Sequence, residues 1–266
     1  MTSTVGDEAR VAPLVRLRGR TAVVLGMVST IGVVAFVWPF FVTPGAALDN
    51  SHSADAPWFF VVLLPLLAAV VVSELTSGAI DAKAVAMLGM LAAVGAALRA
   101  LGPGAAGLEP SFIVIVLGGR VFGRGFGFVL GALTIFAGSL ITGGVGPWLP
   151  FQMFAAGWVG LFAGMLPRAR GRREVLMLAA YGVAAGLFYG ALINLWFWPF
   201  ASYGPELTYV AGDPVAANLH RYVAFWATTS LGWDVPRGIL TAAAVLLAGR
   251  PVLAALRRTA RRAHFS

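Results

Sequence analysis

The sequence predicts an all-α polytopic membrane protein, and three observations carry that prediction. Of 266 residues, 59% are hydrophobic and only 11% charged, with a mean hydropathy of +0.85, more apolar than a soluble domain of this size can bury. Apolar runs of bilayer length recur along the whole chain. Between them, clusters of arginine alternate with acidic connections, the pattern that orients helices in a membrane.

The runs fall at about 20–42, 58–75, 82–101, 125–142, 147–166, 174–198 and 224–249. A shorter run, 111–119, crosses only if it continues toward Arg124 or is buried as a short element. Counting it gives eight membrane segments. Arg10, Arg16, Arg18, Arg20, Lys83, Arg120, Arg124, Arg168, Arg170, Arg172, Arg173 and the tail arginines then share one side, while Asp49, Asp55, Glu109, Glu206 and Asp213 share the other, with only Arg99 and Arg221 as basic company. Without a crossing at 111–119 the two strongest arginine clusters would fall outside. Both termini are therefore expected in the cytoplasm, and the chain in the plasma membrane.

The run after Arg20 is longer than a signal-peptide core and lacks a small-residue cleavage site, so it is expected to remain as an anchor. The polar stretch 43–57 reads as an external loop and 76–81 as an internal turn. These place a boundary near residue 80. The expected units are 1–80, a tail with two transmembrane helices; 81–257, a six-helix bundle; and 258–266, a basic tail.

Glycines at 119, 123, 127 and 131 repeat every fourth residue, giving a helix face that lets another backbone approach closely. Gly182, Gly186 and Gly190 form a second such stripe, continued one turn later by Asn194. After the first stripe, GGVGPWLPFQM breaks the helix beside Trp148 and Gln152.

Net charge of +8 raises nucleic acid as a partner, but the basic residues sit in short clusters between apolar runs, which topology explains. The lack of cysteine excludes disulfides, thiolate metal sites and a thiol nucleophile. His52, His220 and His264 are scattered without metal-ligand spacing, and there is no GxSxG elbow or P-loop. No catalytic residue, metal or cofactor is expected, and any use of ATP requires another subunit.

Charges inside spans are costly and merit a functional hypothesis. Asp234 and Arg237 lie three apart on a helix, with Pro236 between them to weaken or kink it. Mutual neutralisation and ligand contact are both open readings. Trp148, Trp158, Trp196, Trp198, Trp226 and Trp233 all fall in the last four spans. They fit either an interfacial aromatic belt or a pocket for a bulky organic ligand, oriented by Gln152, Asn194, Asp234 and Arg237. Arg99 lies near a helix end, where an interface contact suffices.

DAKAVAMLGMLAAVGAALRAL, then a Pro-preceded short helix entering GRVFGRGFGFVLGAL, then a Gly/Pro/Trp loop and a helix ending in LPR, resembles the S components of energy-coupling factor (ECF) transporters over about residues 81–257. Among these it resembles the actinobacterial members carrying GGVGPWLPFQM and NLWFWPF. The resemblance implies a non-enzymatic, vitamin-binding bundle with its pocket near the outer face, which reorients in complex with a transmembrane coupling subunit and two ATPases. The substrate contacts expected from the tryptophan clustering and the polar residues of the spans are Trp148, Gln152, Asn194, Trp196, Trp198, Trp233, Asp234 and Arg237, and the resemblance places the small-residue contact with the coupling subunit at Ala82, Ala86, Gly89 and Ala93, extending to Ala97. The likeness to cobalamin-linked members makes cobalamin the first substrate expected, with a thiamin precursor, riboflavin and biotin as alternatives. A stand-alone secondary carrier using Asp234 and Arg237 for proton coupling is the competing class, against which the lack of a repeated half argues.

Overall fold

A computed structural model describes residues 19–41, 65, 82–102 and 105–264. The expected crossing at 58–75, the connections 43–57 and 76–81, and the tail before residue 19 lie outside the described residues. Every regular element among the described residues is a helix. Helix α1 is Gly19–Val37, α2 Ala82–Leu101, α3 Ser111–Phe122, α4 Arg124–Thr142, α5 Leu149–Met165, α6 Gly171–Phe197, α7 Val215–Thr229 and α8 Leu231–His264. Five helical stretches are long and apolar enough to cross a membrane, and α3 and α5 are shorter apolar helices. In hydrocarbon every backbone N–H and C=O must be paired within the segment, which leaves such runs no alternative to helix.

The expected crossing at 111–119 is α3, a separate helix of 12 residues. It turns straight into α4 through Gly123, whose φ of 99° is open to glycine and strained for any side chain. The glycine stripe at 119–131 is therefore not one face of one helix. Gly119 lies on α3 and Gly127 on α4, yet a Cβ on either would fall on the same Gly160 carbonyl of α5. One α5 backbone thus receives two helices, and the short α3 is buried almost along its whole length.

The second stripe brings α6 against α8. A Cβ on Gly186 would meet the Gly238 backbone nitrogen at 2.7 Å, and one on Gly190 would occupy the place of the Asp234 carboxylate.

The apolar run 224–249, read as one span, is divided. It is interrupted at Ser230, between the amphipathic α7 and the long α8. Helix α7 and the loop before it form a cap over one end of the bundle, with Trp198, Ala201, Tyr209, Tyr222 and Phe225 as a small core of their own. Pro236 does not stop α8, which continues unbroken through Pro251. Pro236 stands in the second turn and removes only the hydrogen bond that the Gly232 C=O would accept.

Helix α1 packs on α5. Phe36 stacks edge-on to Phe151 at 5.2 Å, and the Trp158 indole donates to Ser29 Oγ at 3.1 Å. Beyond its end, the Pro39 carbonyl accepts a hydrogen bond from the Tyr209 hydroxyl of the cap at 2.7 Å. The part of the N-terminal unit that is described is thus integrated with the bundle.

Candidate functional site

The bundle has two ends with opposite chemistry. At one, the α3–α4 turn, the α5–α6 connection and the close of α8 meet around Glu174, which is 1% exposed. Glu174 Oε1 accepts from Arg120 Nε at 2.7 Å and from Arg257 Nη2 at 2.6 Å. Arg120 also donates to the Leu166 carbonyl at 2.9 Å. Both arginines meet at Glu174 Oε1 and one also holds the loop carbonyl, so this cluster joins three helices and a loop.

At the other end a cavity of about 560 Å³ opens between α2, α5, α6, α8 and the cap. The backbone sets its chemistry. Gly107, with φ 74°, lets the connection after α2 run directly over the Trp233 carbonyl at the start of α8. That closure carries Glu109 inward, where it is 3% exposed and bridges two arginines of distant helices. Glu109 Oε1 pairs with Arg99 on α2, and Oε2 accepts from Arg237 Nε on α8 at 3.3 Å.

Arg237 Nη1 also donates to Asp234 Oδ1 at 2.7 Å. Asp234 Oδ2 is held by Trp226 Nε1 at 2.9 Å and Ser230 Oγ at 2.7 Å. Asp234 lies in the first turn of α8, where the N-terminal dipole favours an anion. The guanidinium of Arg237 stands over the Tyr189 ring at 5.0 Å and the Phe112 ring at 5.8 Å. Burying these charges is tolerable because each carboxylate is both paired and hydrogen-bonded.

Six of the eight residues expected to touch substrate line this cavity: Trp148, Gln152, Asn194, Trp233, Asp234 and Arg237. The two readings of Asp234 and Arg237 coexist in the geometry, since they pair with each other and also form part of the wall. Trp196 and Trp198 lie elsewhere. Helical phase explains Trp196, because it is two residues, about 200°, beyond the wall residue Asn194. Instead it stacks on Phe151 at 5.3 Å. Trp198 is fully buried under the cap, its indole donating to the Leu207 carbonyl at 2.7 Å. Phe197, one position before it, faces the cavity.

Arg99, Glu109 and Tyr189 are among the wall residues that the sequence reading did not assign. Arg99 and Glu109 passed for a snorkelling base and a loop acid. A signal was present, because each borders an apolar helix and the two could meet across a ten-residue return. Tyr189 gave no signal beyond its phase, one turn before Ile193.

The coupling-face residues Ala82, Ala86, Gly89, Ala93 and Ala97 form an exposed stripe along α2, and space for a Cβ on Gly89 is open. Among the described residues, no three His, Asp or Glu side chains cluster as a metal site would require.

A multi-pass helical membrane protein with a solute-sized polar cavity at one end is the class that this fold and site define. The particular family follows from a family-model match: residues 83–249 fit the substrate-specific component of ECF transporters, and the chain belongs to that family. Its members are transport-specific binding subunits, not enzymes, and work with ECF coupling and ATPase modules. No curated protein and no solved structure matched the chain.

Proposed function

We propose that the chain captures a vitamin or vitamin precursor in the cavity beneath the cap and delivers it in complex with a transmembrane coupling subunit and two ATPases. The observation that carries this reading is the cavity of about 560 Å³ lined by Trp148, Gln152, Asn194, Trp233, Asp234 and Arg237, within the volume range of small-molecule sites. The cavity end faces outward and the Glu174 end inward, with both termini cytoplasmic, because Arg168, Arg170, Arg172, Arg173, Arg250, Arg257 and Arg258 gather near the latter.

Cobalamin is the first candidate, entering the cavity by one edge; riboflavin, a thiamin precursor and biotin follow. With Trp196 and Trp198 outside the wall, the aromatic argument for a very large ligand rests on Trp148, Trp233 and Phe197, with Tyr189, Tyr203 and Phe225. The exposed stripe Ala82, Ala86, Gly89 and Ala93 supports contact with the coupling subunit, since small residues let helices approach closely.

The test is a thermal-shift screen of the purified protein against these compounds, followed by uptake in proteoliposomes with and without the coupling modules. A ligand of the folded state raises the melting temperature. ATP-dependent uptake only in the complex supports the proposal; uptake by this chain alone, driven by a proton gradient, overturns it in favour of the secondary carrier. Ala86→Leu with Gly89→Leu should abolish coupled uptake while ligand binding by the isolated chain stays unchanged.

A further inference from the structure

The cavity wall carries four charged side chains, Arg99, Glu109, Asp234 and Arg237, and their charges cancel. They are not equally accessible. The carboxylates are 4% and 2% exposed and already engaged, Glu109 by both arginines and Asp234 by Arg237, Trp226 and Ser230. An ammonium or other cationic ligand finds no open carboxylate.

Arg99 is the most exposed of the pair of bases, at 16%. Beyond Glu109 it donates to Gln152 Oε1 at 3.2 Å, and its five N–H groups leave donors over, as does the Gln152 amide nitrogen. The Tyr189 hydroxyl, in a residue 3% exposed, has no hydrogen-bond partner in the protein. Asn194 supplies the complement: its Nδ2 donates to the Gly190 carbonyl at 2.8 Å and to Ser230 Oγ at 2.6 Å, so its Oδ1 remains as an acceptor. A carboxylate or phosphate could reach Arg99, but it would leave a buried cluster with net negative charge, and burying an uncompensated charge costs several kcal/mol.

Resting on the substrate-binding reading above, we propose that the cavity selects an uncharged, planar molecule with an amide, lactam or ring-nitrogen edge. Glu109 is the residue that sets this selectivity, by neutralising Arg99 and Arg237 together. The ligand edge accepts from Arg99 and Gln152 and donates to Asn194, while its flat body meets Trp148 and Trp233 at the mouth. Removing the Glu109 charge turns the same wall into an anion site without moving a donor.

The test is equilibrium dialysis and thermal shift on the full-length protein with compounds matched in shape and different in charge: nicotinamide with nicotinate, riboflavin with its 5′-phosphate, cyanocobalamin, and thiamin as a cation. In the wild type the uncharged compounds are expected to bind at least tenfold more tightly than ionised ones. Glu109→Gln should narrow that preference at least tenfold or reverse it toward the anion, and Asp234→Asn gives the same charge change should Glu109→Gln fail to fold. A charged compound binding as tightly as its neutral match in the wild type overturns the neutrality proposal and leaves the substrate-binding reading standing. A preference unchanged in folded Glu109→Gln overturns the role of Glu109, and one unchanged in Asp234→Asn overturns the charge argument behind it. Failure of every compound to bind overturns the neutrality proposal, and the uptake assay then decides the substrate-binding reading.

Discussion

The two buried charge clusters at opposite ends of the bundle use the same residue types for different ends. Around Glu174, one carboxylate is shared by Arg120 and Arg257, and Arg120 also reaches loop carbonyls. Around Glu109, one carboxylate is likewise shared by two arginines, but a cavity opens beside it, a tyrosine hydroxyl is left unpaired, and Arg99 retains free donors. A cluster packed between helices and a loop holds them together; a cluster with spare hydrogen-bonding capacity beside open volume can hold a ligand. Burial and charge alone do not distinguish them. The open volume does.

Five substitutions sharpen that contrast. The largest effect is expected for Glu174→Ala, which strands the buried Arg120 guanidinium at the end opposite the cavity and should cost about 3 kcal/mol of stability. It is read as loss of monodisperse protein and a lower melting temperature in detergent, with ligand affinity in the surviving folded fraction unchanged. Selective loss of affinity instead would mean that the two ends are not separate in function.

Next is Arg237→Ala, expected to weaken ligand binding at least tenfold, about 1.4 kcal/mol, in protein that still folds. Asp234→Ala should behave alike, since the two share a hydrogen bond. If both variants lose only yield and retain affinity, the cluster beside the cavity is structural as well, and the comparison collapses.

The smallest effects separate the tryptophans. Trp148→Ala removes part of the cavity mouth and should cost about 1 kcal/mol of affinity, the scale of an aromatic contact. Trp198→Phe loses the hydrogen bond to Leu207, so it should instead cost about 1 kcal/mol of stability and no affinity. Isothermal titration and melting curves on the two proteins would read the crossover, and its reversal would place the ligand against Trp198 rather than Trp148.

Most helices were legible because lipid leaves an apolar run no choice but to bond its own backbone. The glycine stripes were legible as close-packing faces for the same reason: only small residues let helices touch where the surrounding solvent is itself apolar. Their partners were not. That Gly119 and Gly127 meet one carbonyl at Gly160 depends on the turn at Gly123, and that Gly190 shelters Asp234 depends on how α6 meets α8. The division of 224–249 at Ser230 was also hidden, since the break lies within a continuous apolar pattern and its use becomes visible only when Ser230 donates to Asp234 and accepts from Asn194.

By itself, then, the sequence determined the membrane class, most of the spans, the family resemblance and six residues that meet at one cavity. These are properties of local composition and period, which lipid converts directly into helices. Only the tertiary structure decided that Trp196 and Trp198 face away, that Arg99, Glu109 and Tyr189 face in, and that four charges cancel across three elements. Such facts arise from chain closure between residues as far apart as Glu109 and Arg237. No local pattern encodes that distance.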